Sequence, residues 1–168
     1  MALSNSQLDD VTSPTALSNS ETKQYSTFRV AEGLYGIDVT RVQEVVKPMF
    51  MTKIPLAPDF VHGLINLRGQ VVTAIGLRQL FGLSSGDESQ MMNVICDVGG
   101  SLVSLLVDEI CDVIEVSPDS WEQTPGTIDK RIRGFMSGVH KTQGVLLSII
   151  DVKGIDKALN DSKKGEEI

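Results

Sequence analysis

Short apolar stretches alternate along the chain with glycine, proline and aspartate, a pattern typical of β-strands joined by tight turns. The strands predicted in the first part of the chain are residues 24–30, 34–38 and a hairpin over residues 63–76. The strands predicted further on are residues 91–98, 101–107 and 111–116 and a second hairpin of residues 133–139 and 145–152. Helical spacing is confined to one turn after Val39, residues 77–81 and residues 155–159. The pattern predicts a mostly β protein with few short helices.

Two segments indicate where strands are buried or interrupted. Residues 101–107 are nearly all apolar, so we expect a strand that is covered on both faces. The pair Gly99-Gly100 before it can supply the positive φ angles of a tight hairpin turn. Three prolines within residues 47–60 exclude a central strand and predict a loop.

The two parts of the chain resemble each other. Residues 36–45 overlay residues 104–113, with small residues first and valine or isoleucine at matching positions. Thr40 falls on Asp108 in this overlay, and each is predicted to cap a short helical turn through a side-chain oxygen. The overlay indicates an internal duplication.

A second overlay supports the duplication. Residues 61–64 fall on residues 132–135, and each segment is followed by an apolar hairpin and a basic residue, Arg78 or Lys153. Small antiparallel sheets must curl or close to bury their apolar faces and hide their edges. We therefore expect two similarly built β subdomains, packed as small barrels on each other.

The predicted organisation has three parts. Residues 1–22 are rich in Ser, Thr and Asn and are predicted to be a disordered leader. Residues 23–160 form the folded unit, with two interleaved β subdomains and a polar midpoint at residues 84–90. Residues 161–168 are predicted to be a charged tail.

Composition narrows the function classes. The formal charge of −7 argues against a nucleic-acid partner, because phosphate binding needs clustered Lys and Arg. No apolar run approaches the roughly 20 residues that cross a bilayer, so direct membrane insertion is not expected. The leader lacks the features of a secretion signal. The two cysteines, Cys96 and Cys111, are expected to behave as small buried hydrophobes, and a cytoplasmic location is the default.

No motif for catalysis, for a metal or for a cofactor is evident. His62 and His140 have no Cys, His or Asp partner at metal-ligand spacing. Gly63 and Gly69 do not belong to a phosphate-binding loop, and a hairpin turn explains Gly69. The acidic residues between 108 and 115 are interpreted as a solvated strand edge rather than a cation site. We therefore predict no catalytic, cofactor-binding or metal-binding residues.

One apolar patch leaves two interpretations open. Met49, Phe50, Met51 and Ile54 lie within the proline-rich loop. They can fold back onto the core, or they can contact a partner, since methionine-rich surfaces adapt to other proteins.

The segment at residues 60–72, Phe-Val-His-Gly-Leu-Ile-Asn-Leu-Arg-Gly-Gln-Val-Val, closely resembles the signature of the CheW family. Further matching segments are residues 35–39, 42–45, 77–78, 81–82 and 106–108, and Val113. The resemblance covers residues 23–155. The family usually has Pro at Thr73, Asp at Gly76 and Gly at Ser104, and these departures affect inferences about local geometry and receptor class.

The resemblance implies two five-stranded SH3-like β-barrel subdomains around a shared apolar core. It also implies a non-enzymatic adaptor that couples methyl-accepting chemoreceptors to the CheA histidine kinase in chemosensory arrays. Its expected partners are the cytoplasmic tips of the receptors and the regulatory domain of CheA. The protein would be cytoplasmic and recruited to membrane-associated arrays.

The resemblance also implies a receptor surface in a groove between the subdomains. The candidate receptor-binding residues are Val42, Gly63, Arg68, Val71, Ser104 and Ile110. Glu44 and Arg68 match a family pair that is expected to form an ion pair bracing the groove. If the pair is exposed, its loss acts through positioning, and if it is buried, its loss unfolds the site.

Other functions remain as alternatives. A CheW-like adaptor of a different pathway, such as type IV pilus motility, would have the same sequence features. A CheV-like protein would need a receiver domain after residue 155, and the chain is expected to be too short for one. A peptide-binding SH3-like barrel would need an aromatic groove, and 5% aromatic content makes one hard to assemble. An enzyme would have to use His62 or His140.

Overall fold

The computed structural model describes the backbone of residues 22–166 and the side chains of residues 22–163. The first strands are β1 Lys23–Val30, β2 Gly33–Asp38, β3 Val42–Val46, β4 Val61–Leu67 and β5 Gln70–Gly76. The later strands are β6 Met92–Val98, β7 Ser101–Val107, β8 Glu109–Val116, β9 Trp121–Glu122, β10 Met136–Thr142 and β11 Val145–Ile150. The α-helices are α1 Leu77–Leu80, α2 Lys130–Arg133 and α3 Val152–Glu166. The leader predicted over residues 1–22 lies outside the described residues except for Thr22, so it stays a prediction.

The strands of the described residues form two sheets, which confirms the predicted mostly β fold. A six-stranded sheet has the order β8-β1-β2-β11-β10-β9, and a five-stranded sheet has the order β3-β6-β7-β5-β4. Neighbouring strands are antiparallel except for β11 with β2 and β5 with β7. Both parallel pairs join strands that are distant in sequence, so long-range packing must hold them together.

Each sheet combines strands from both parts of the chain. In the five-stranded sheet, β3, β6, β7, β5 and β4 take the places that β8, β1, β2, β11 and β10 take in the six-stranded sheet. The unit β1 to β5 is therefore repeated as β6, β7, β8, β10 and β11, with β9 added. The two copies exchange strands instead of folding side by side.

The structure changes the register of the second overlay. The overlay of residues 61–64 on residues 132–135 is wrong by four positions, because β4 and β10 are equivalent strands that begin at Val61 and Met136. The strand predicted from residue 133 is preceded by α2, whose first turn is capped by the carboxylate of Asp129. A cap of this kind starts a helix because it accepts a backbone N–H that has no partner within the helix.

The predicted burial of β7 on both faces is confirmed. Val103, Leu105 and Val107 pack in the core shared by the two sheets. Leu102 and Leu106 point the other way, into a second cluster within the five-stranded sheet. The strand thus forms a wall between the two apolar cores, which explains why nearly every position in it is apolar.

The two cysteines differ in environment. Cys96 is fully buried on β6, and burial raises the pKa of its thiol to about 12, with a smaller contribution from Asp97. Cys111 is half-buried on β8, and burial also raises its pKa. Because a thiol reacts as its thiolate, Cys96 behaves as the buried hydrophobe that was predicted.

The proline-rich loop closes the five-stranded sheet. Although β3 and β4 lie at opposite ends of the strand order, the chain that leaves β3 pairs with β4 through a bridge between Thr52 and Leu64. Two backbone hydrogen bonds of 2.8 Å join these residues. Met49 and Met51 pack against the second cluster, the one within the five-stranded sheet. Phe50, by contrast, is 87% exposed, and Ile54 is also exposed. The interpretation that the patch folds back onto the core therefore holds for Met49 and Met51, and contact with a partner stays a prediction for Phe50 and Ile54.

An ion pair braces the two sheets against each other. The carboxylate of Asp108 accepts hydrogen bonds from Arg78 at 3.0 Å (Nε) and 2.7 Å (Nη2). It also accepts the backbone N–H of Ala31 in the β1–β2 turn, at 2.6 Å. The prediction that Thr40 and Asp108 cap equivalent helical turns is wrong, because Asp38 caps the turn at Val39–Arg41 and Asp108 serves as this brace.

A second contact between the sheets comes from Arg131. Its guanidinium donates to the carbonyl oxygens of Leu80 at 3.0 Å and Gln79 at 2.9 Å, at the end of α1. The last carbonyls of a helix have no partner within the helix, and a cation there is favourable. Arg131 therefore holds α1 onto the six-stranded side of the molecule.

The chain end is more helical than predicted. The helix predicted over residues 155–159 is α3, which begins at Val152 and continues through most of the segment predicted as a charged tail. Its Ile155 is buried in the shared core. Alternation could not reveal β9 because it has two residues, both paired with β10.

Candidate protein-binding surface

The predicted ion pair between Glu44 and Arg68 is present. Nη2 of Arg68 contacts Oε2 of Glu44, which joins β3 to the β4–β5 turn. The hydrogen bond from Arg68 lowers the pKa of Glu44 against a smaller opposing effect of burial, so this carboxylate is ionised at neutral pH. The side chain of Arg68 is 67% exposed. The pair therefore positions the guanidinium at the surface and contributes little to stability.

Arg68 occupies an unfavourable backbone conformation. Its φ angle is +51°, and φ of Gly69 is +86°, so both central residues of the hairpin turn are left-handed, as a type I′ turn requires. The N–H of Gly69 donates to Asn66 Oδ1 at 2.8 Å and supports the turn. Asparagine or glycine would adopt this conformation at lower cost than arginine. A strained residue that remains in such a place points to a use for its side chain.

Gly63 serves contacts within the chain. Its φ is +153°, and a Cβ at this position would lie 2.5 Å from the carbonyl oxygen of Thr52. The sheet register shifts between Val61 and Gly63, so the glycine lies at a β-bulge. Gly63, a candidate receptor-binding residue, thus allows a close approach of the backbone of Thr52.

Ser104 differs from the expectation of a receptor contact. Its side chain has no exposed surface and lies within the five-stranded sheet. Its hydroxyl donates to Asn93 Oδ1 at 2.8 Å, and Asn93 Nδ2 donates to the carbonyl of Lys47 at 3.1 Å. A partner cannot touch Ser104 in this conformation. The chain of hydrogen bonds instead fixes the end of β3, close to Glu44.

The other candidates divide between surface and core. Val71 is 65% exposed and lies on β5, directly after the turn that carries Arg68. Val42 and Ile110 are half-buried and pack against the shared core, Val42 on β3 and Ile110 on β8. The structure therefore places Arg68 and Val71 together at the surface, with Glu44 beside them.

A groove that no sequence pattern indicates lies next to Val71. The cavity measures about 700 Å³, and its walls come from the proline-rich loop, from β5 and β7 and from the second half of α3. Its apolar lining includes Ile54, Val71, Leu102 and Leu159. No local pattern could reveal this groove, because the proline-rich loop and α3, which both line it, are about 100 residues apart in sequence.

Comparisons with known proteins agree with this geometry. Residues 24–158 match the family model described as the CheW-like domain. The chain belongs to the CheW family. The resemblance that the segment at residues 60–72 indicated is confirmed.

Individual CheW relatives cover most of the chain. The chemotaxis protein CheW of Treponema pallidum is 34% identical over 139 residues, which are 80% of this chain and 82% of that protein. CheW of Bacillus subtilis is 31% identical over 130 residues, 76% of this chain and 83% of that protein. The crystal structure of the scaffolding protein TtCheW from Thermoanaerobacter tengcongensis is 37% identical with a TM-score of 0.70. That comparison covers 77% of this chain and 88% of TtCheW.

Both histidines of this CheW family member have partners within the chain. His62 is buried, with Nε2 2.8 Å from Gln79 Oε1 and Nδ1 3.0 Å from Glu88 Oε1. His140 is buried, with Nδ1 2.7 Å from the hydroxyl of Ser120. Among the residues with described side chains, no three His, Cys, Asp or Glu side chains are arranged to hold a metal ion. Within the same part of the chain, every helix is too short or too polar to cross a membrane.

The burial of His140 is expected to make stability depend on pH. Burial, followed by the charge of Lys23, lowers the pKa of His140 in the folded protein. As the pH falls below about 6.5, the unfolded chain takes up a proton on this side chain before the folded protein does. The free energy of unfolding should therefore decrease from pH 6.5 toward the lower folded pKa, and urea unfolding would measure it. His140→Phe should have a flatter profile in this window, and parallel profiles would contradict the prediction.

Proposed function

We propose that the protein is a non-enzymatic adaptor that couples chemoreceptors to a CheA histidine kinase. Membership in a family of chemotaxis and scaffolding proteins supports the role. The observation that carries it is Arg68, an exposed cation in a left-handed backbone conformation, held by Glu44 beside the exposed Val71. This combination has no role in the core, and it suits a surface that recognises another protein.

The proposed receptor surface consists of Arg68, Val71 and the neighbouring groove. A receptor tip is a helical hairpin, and an apolar groove takes up a helix through side chains spaced three and four residues apart. Val71 and Ile54 line the groove and offer apolar contacts, and the exposed Arg68, three residues before Val71, offers a charged one. Gly63, Ser104, Val42 and Ile110 act indirectly, by holding β3, β4 and β8 in place.

The kinase contact is proposed on a different surface. The first β subdomain would meet the second subdomain of the CheA regulatory domain, and a reciprocal contact elsewhere would close a ring beneath the receptors. The protein would work in the cytoplasm, at membrane-associated arrays. In this role it transmits conformational changes and catalyses no reaction.

Substitution of Arg68 tests the receptor surface. Arg68→Asn relieves the left-handed strain, so the free energy of unfolding is expected to stay the same or rise by up to about 1 kcal/mol. The same change removes the surface cation, and receptor affinity should fall by about tenfold or more. Titration against a purified receptor signalling fragment would measure the affinity, and urea unfolding would measure stability.

The controls separate receptor binding from folding and from kinase binding. Gln143→Asn makes the same kind of change in the equivalent β10–β11 turn, where φ is +50°, and should leave receptor affinity unchanged. Arg68→Glu should also bind the receptor fragment weakly while still binding the CheA regulatory domain. Undiminished receptor affinity in a folded Arg68→Glu protein would refute the assignment of the surface.

A further inference from the structure

A second cavity lies in the six-stranded sheet, away from Arg68. It measures about 490 Å³, within the range of about 300–1,000 Å³ that is common for small-molecule sites. Its floor consists of buried apolar side chains, among them Ile37, Val116 and Ile149. The cavity is therefore large enough for a ligand with an apolar body.

Three aromatic rings form one wall of this cavity. His140 lies between Tyr25 and Trp121, with ring centroids at 5.6 Å and 5.1 Å. Burial and the charge of Lys23 lower the pKa of His140, and burial followed by Asp38 raises the pKa of Tyr25. Both rings are therefore uncharged at neutral pH. Trp121 is 42% exposed, so its ring offers a face against which an aromatic ligand can stack, whereas Tyr25 and His140 are buried.

The acidic and basic side chains that line the cavity differ in the partners that they have. The carboxylates of Asp38 and Asp151 accept backbone N–H groups, those of Thr40 and Lys153, at 2.9 and 3.0 Å. The cationic groups that line the cavity belong to Lys23, Arg41 and Lys153. Within the side chains that the structure describes, none of these three forms a salt bridge. Lys23 and Arg41 interact electrostatically with Asp38, so three cations against two carboxylates leave an excess of one positive charge at the cavity, in a chain whose net charge is −7.

The internal repeat gives an independent reason for this imbalance. Lys153 follows β11 as Arg78 follows β5, and Thr40 takes the place that Asp108 takes in the other copy. Arg78 has a carboxylate partner, whereas the equivalent position for Lys153 holds a neutral hydroxyl. The six-stranded sheet, which holds the cavity, therefore has the cation that corresponds to Arg78 without an anion at the position that corresponds to Asp108.

We propose that this cavity is a binding site for an organic anion, in which a carboxylate or sulfonate group is attached to a flat aromatic body. The anion contacts Lys153 and Arg41 at the rim, and the body stacks on Trp121, whose ring packs against the buried His140. The site is separate from the proposed receptor surface, so the proposal does not depend on the adaptor function.

The test uses 1-anilinonaphthalene-8-sulfonate with the full chain. The protein has a single tryptophan, Trp121, so energy transfer from it is expected for a probe bound in this cavity. We expect one bound probe per chain, with energy transfer and with an affinity that decreases as salt is added. The double variant Arg41→Gln/Lys153→Gln should bind the probe about tenfold more weakly, because two charge contacts are lost. N-phenyl-1-naphthylamine, which lacks the sulfonate, should bind both proteins equally.

Matched substitutions exclude a general charge effect. Lys47→Gln/Lys157→Gln removes the same charge from exposed positions outside the cavity and should leave the affinity for the sulfonate unchanged. The single variant Lys153→Gln serves if the double variant does not fold. Equal sulfonate affinity in the cavity variants and in this control, or binding without energy transfer from Trp121, would overturn the proposal.

Discussion

Gly63→Ala is expected to lower the free energy of unfolding by about 2–5 kcal/mol. The φ of +153° costs any residue with a Cβ about 1–3 kcal/mol. The new Cβ would also lie 2.5 Å from the carbonyl oxygen of Thr52 and 3.0 Å from its carbonyl carbon, and backbone atoms cannot move aside as a flexible side chain can. Relief of this clash separates Thr52 from β4 and opens the edge of the five-stranded sheet. Urea or guanidinium unfolding would measure the loss.

Gly69→Ala is the matched control for this prediction. Gly69 also has a positive φ, of +86°, but no atom lies within 4 Å of a Cβ built there. Gly69→Ala should therefore lower the free energy of unfolding by only the cost of the left-handed backbone conformation, about 1–2 kcal/mol. Equal losses at the two glycines would show that the contact with Thr52 does not matter. A folded Gly63→Ala protein should also bind the receptor fragment weakly, because the β4–β5 hairpin that carries Arg68 loses its support.

Asp108→Asn should lower the free energy of unfolding by about 2–3 kcal/mol. Both partners of the Arg78–Asp108 pair are mostly buried, with 19% and 24% of their side chains exposed. Loss of the carboxylate leaves the positive charge of Arg78 without a partner. Because the pair is partly buried, the expected loss of stability lies between the value for an exposed ion pair and the value for a fully buried one. The substitution also weakens the bond from the N–H of Ala31, so the β1–β2 turn should exchange amide hydrogens faster.

The contribution of the Asp108 carboxylate to stability depends on pH. The hydrogen bond from Arg78, opposed by burial and helped by the N–H of Ala31, lowers the pKa of Asp108. Its stabilising effect is therefore complete above the unfolded value of about 3.9 and is lost as the pH falls through the lower folded pKa. Glu109→Gln, at an exposed neighbouring position, should change stability by less than about 0.5 kcal/mol. Equal losses in the two variants would contradict the role of Asp108 as a brace.

Much of the fold could be predicted from local patterns. The alternation in residues 63–76 predicted the β4–β5 hairpin with its turn at Gly69, and the apolar run at residues 101–107 predicted a strand buried on both sides. The pairing of Glu44 with Arg68 followed from the family resemblance. Each of these features depends on neighbours in the sequence or on a motif that survives as a contiguous segment.

The candidate site was harder to predict, because exposure depends on distant strands. Val71 and Ser104 were equivalent candidates in the sequence, yet Val71 is on the surface and Ser104 is enclosed by β5 and β6. Gly63 was expected to admit a partner, and it admits Thr52. The role of Arg131 was also missed, since its acceptors lie about 50 residues away on α1.

The sequence by itself determined most of the strands, the tight turns, the duplicated order of elements and the family. These follow from side-chain alternation, from the φ preferences of glycine and from contiguous motifs, all of which act within a few residues. The tertiary structure alone decided which strands the two copies exchange, that Arg68 and Val71 share a surface and that Lys153 lines a cavity without a counterpart of Asp108. Those outcomes depend on which distant faces meet when the two sheets bury their apolar sides, and no local pattern contains that information.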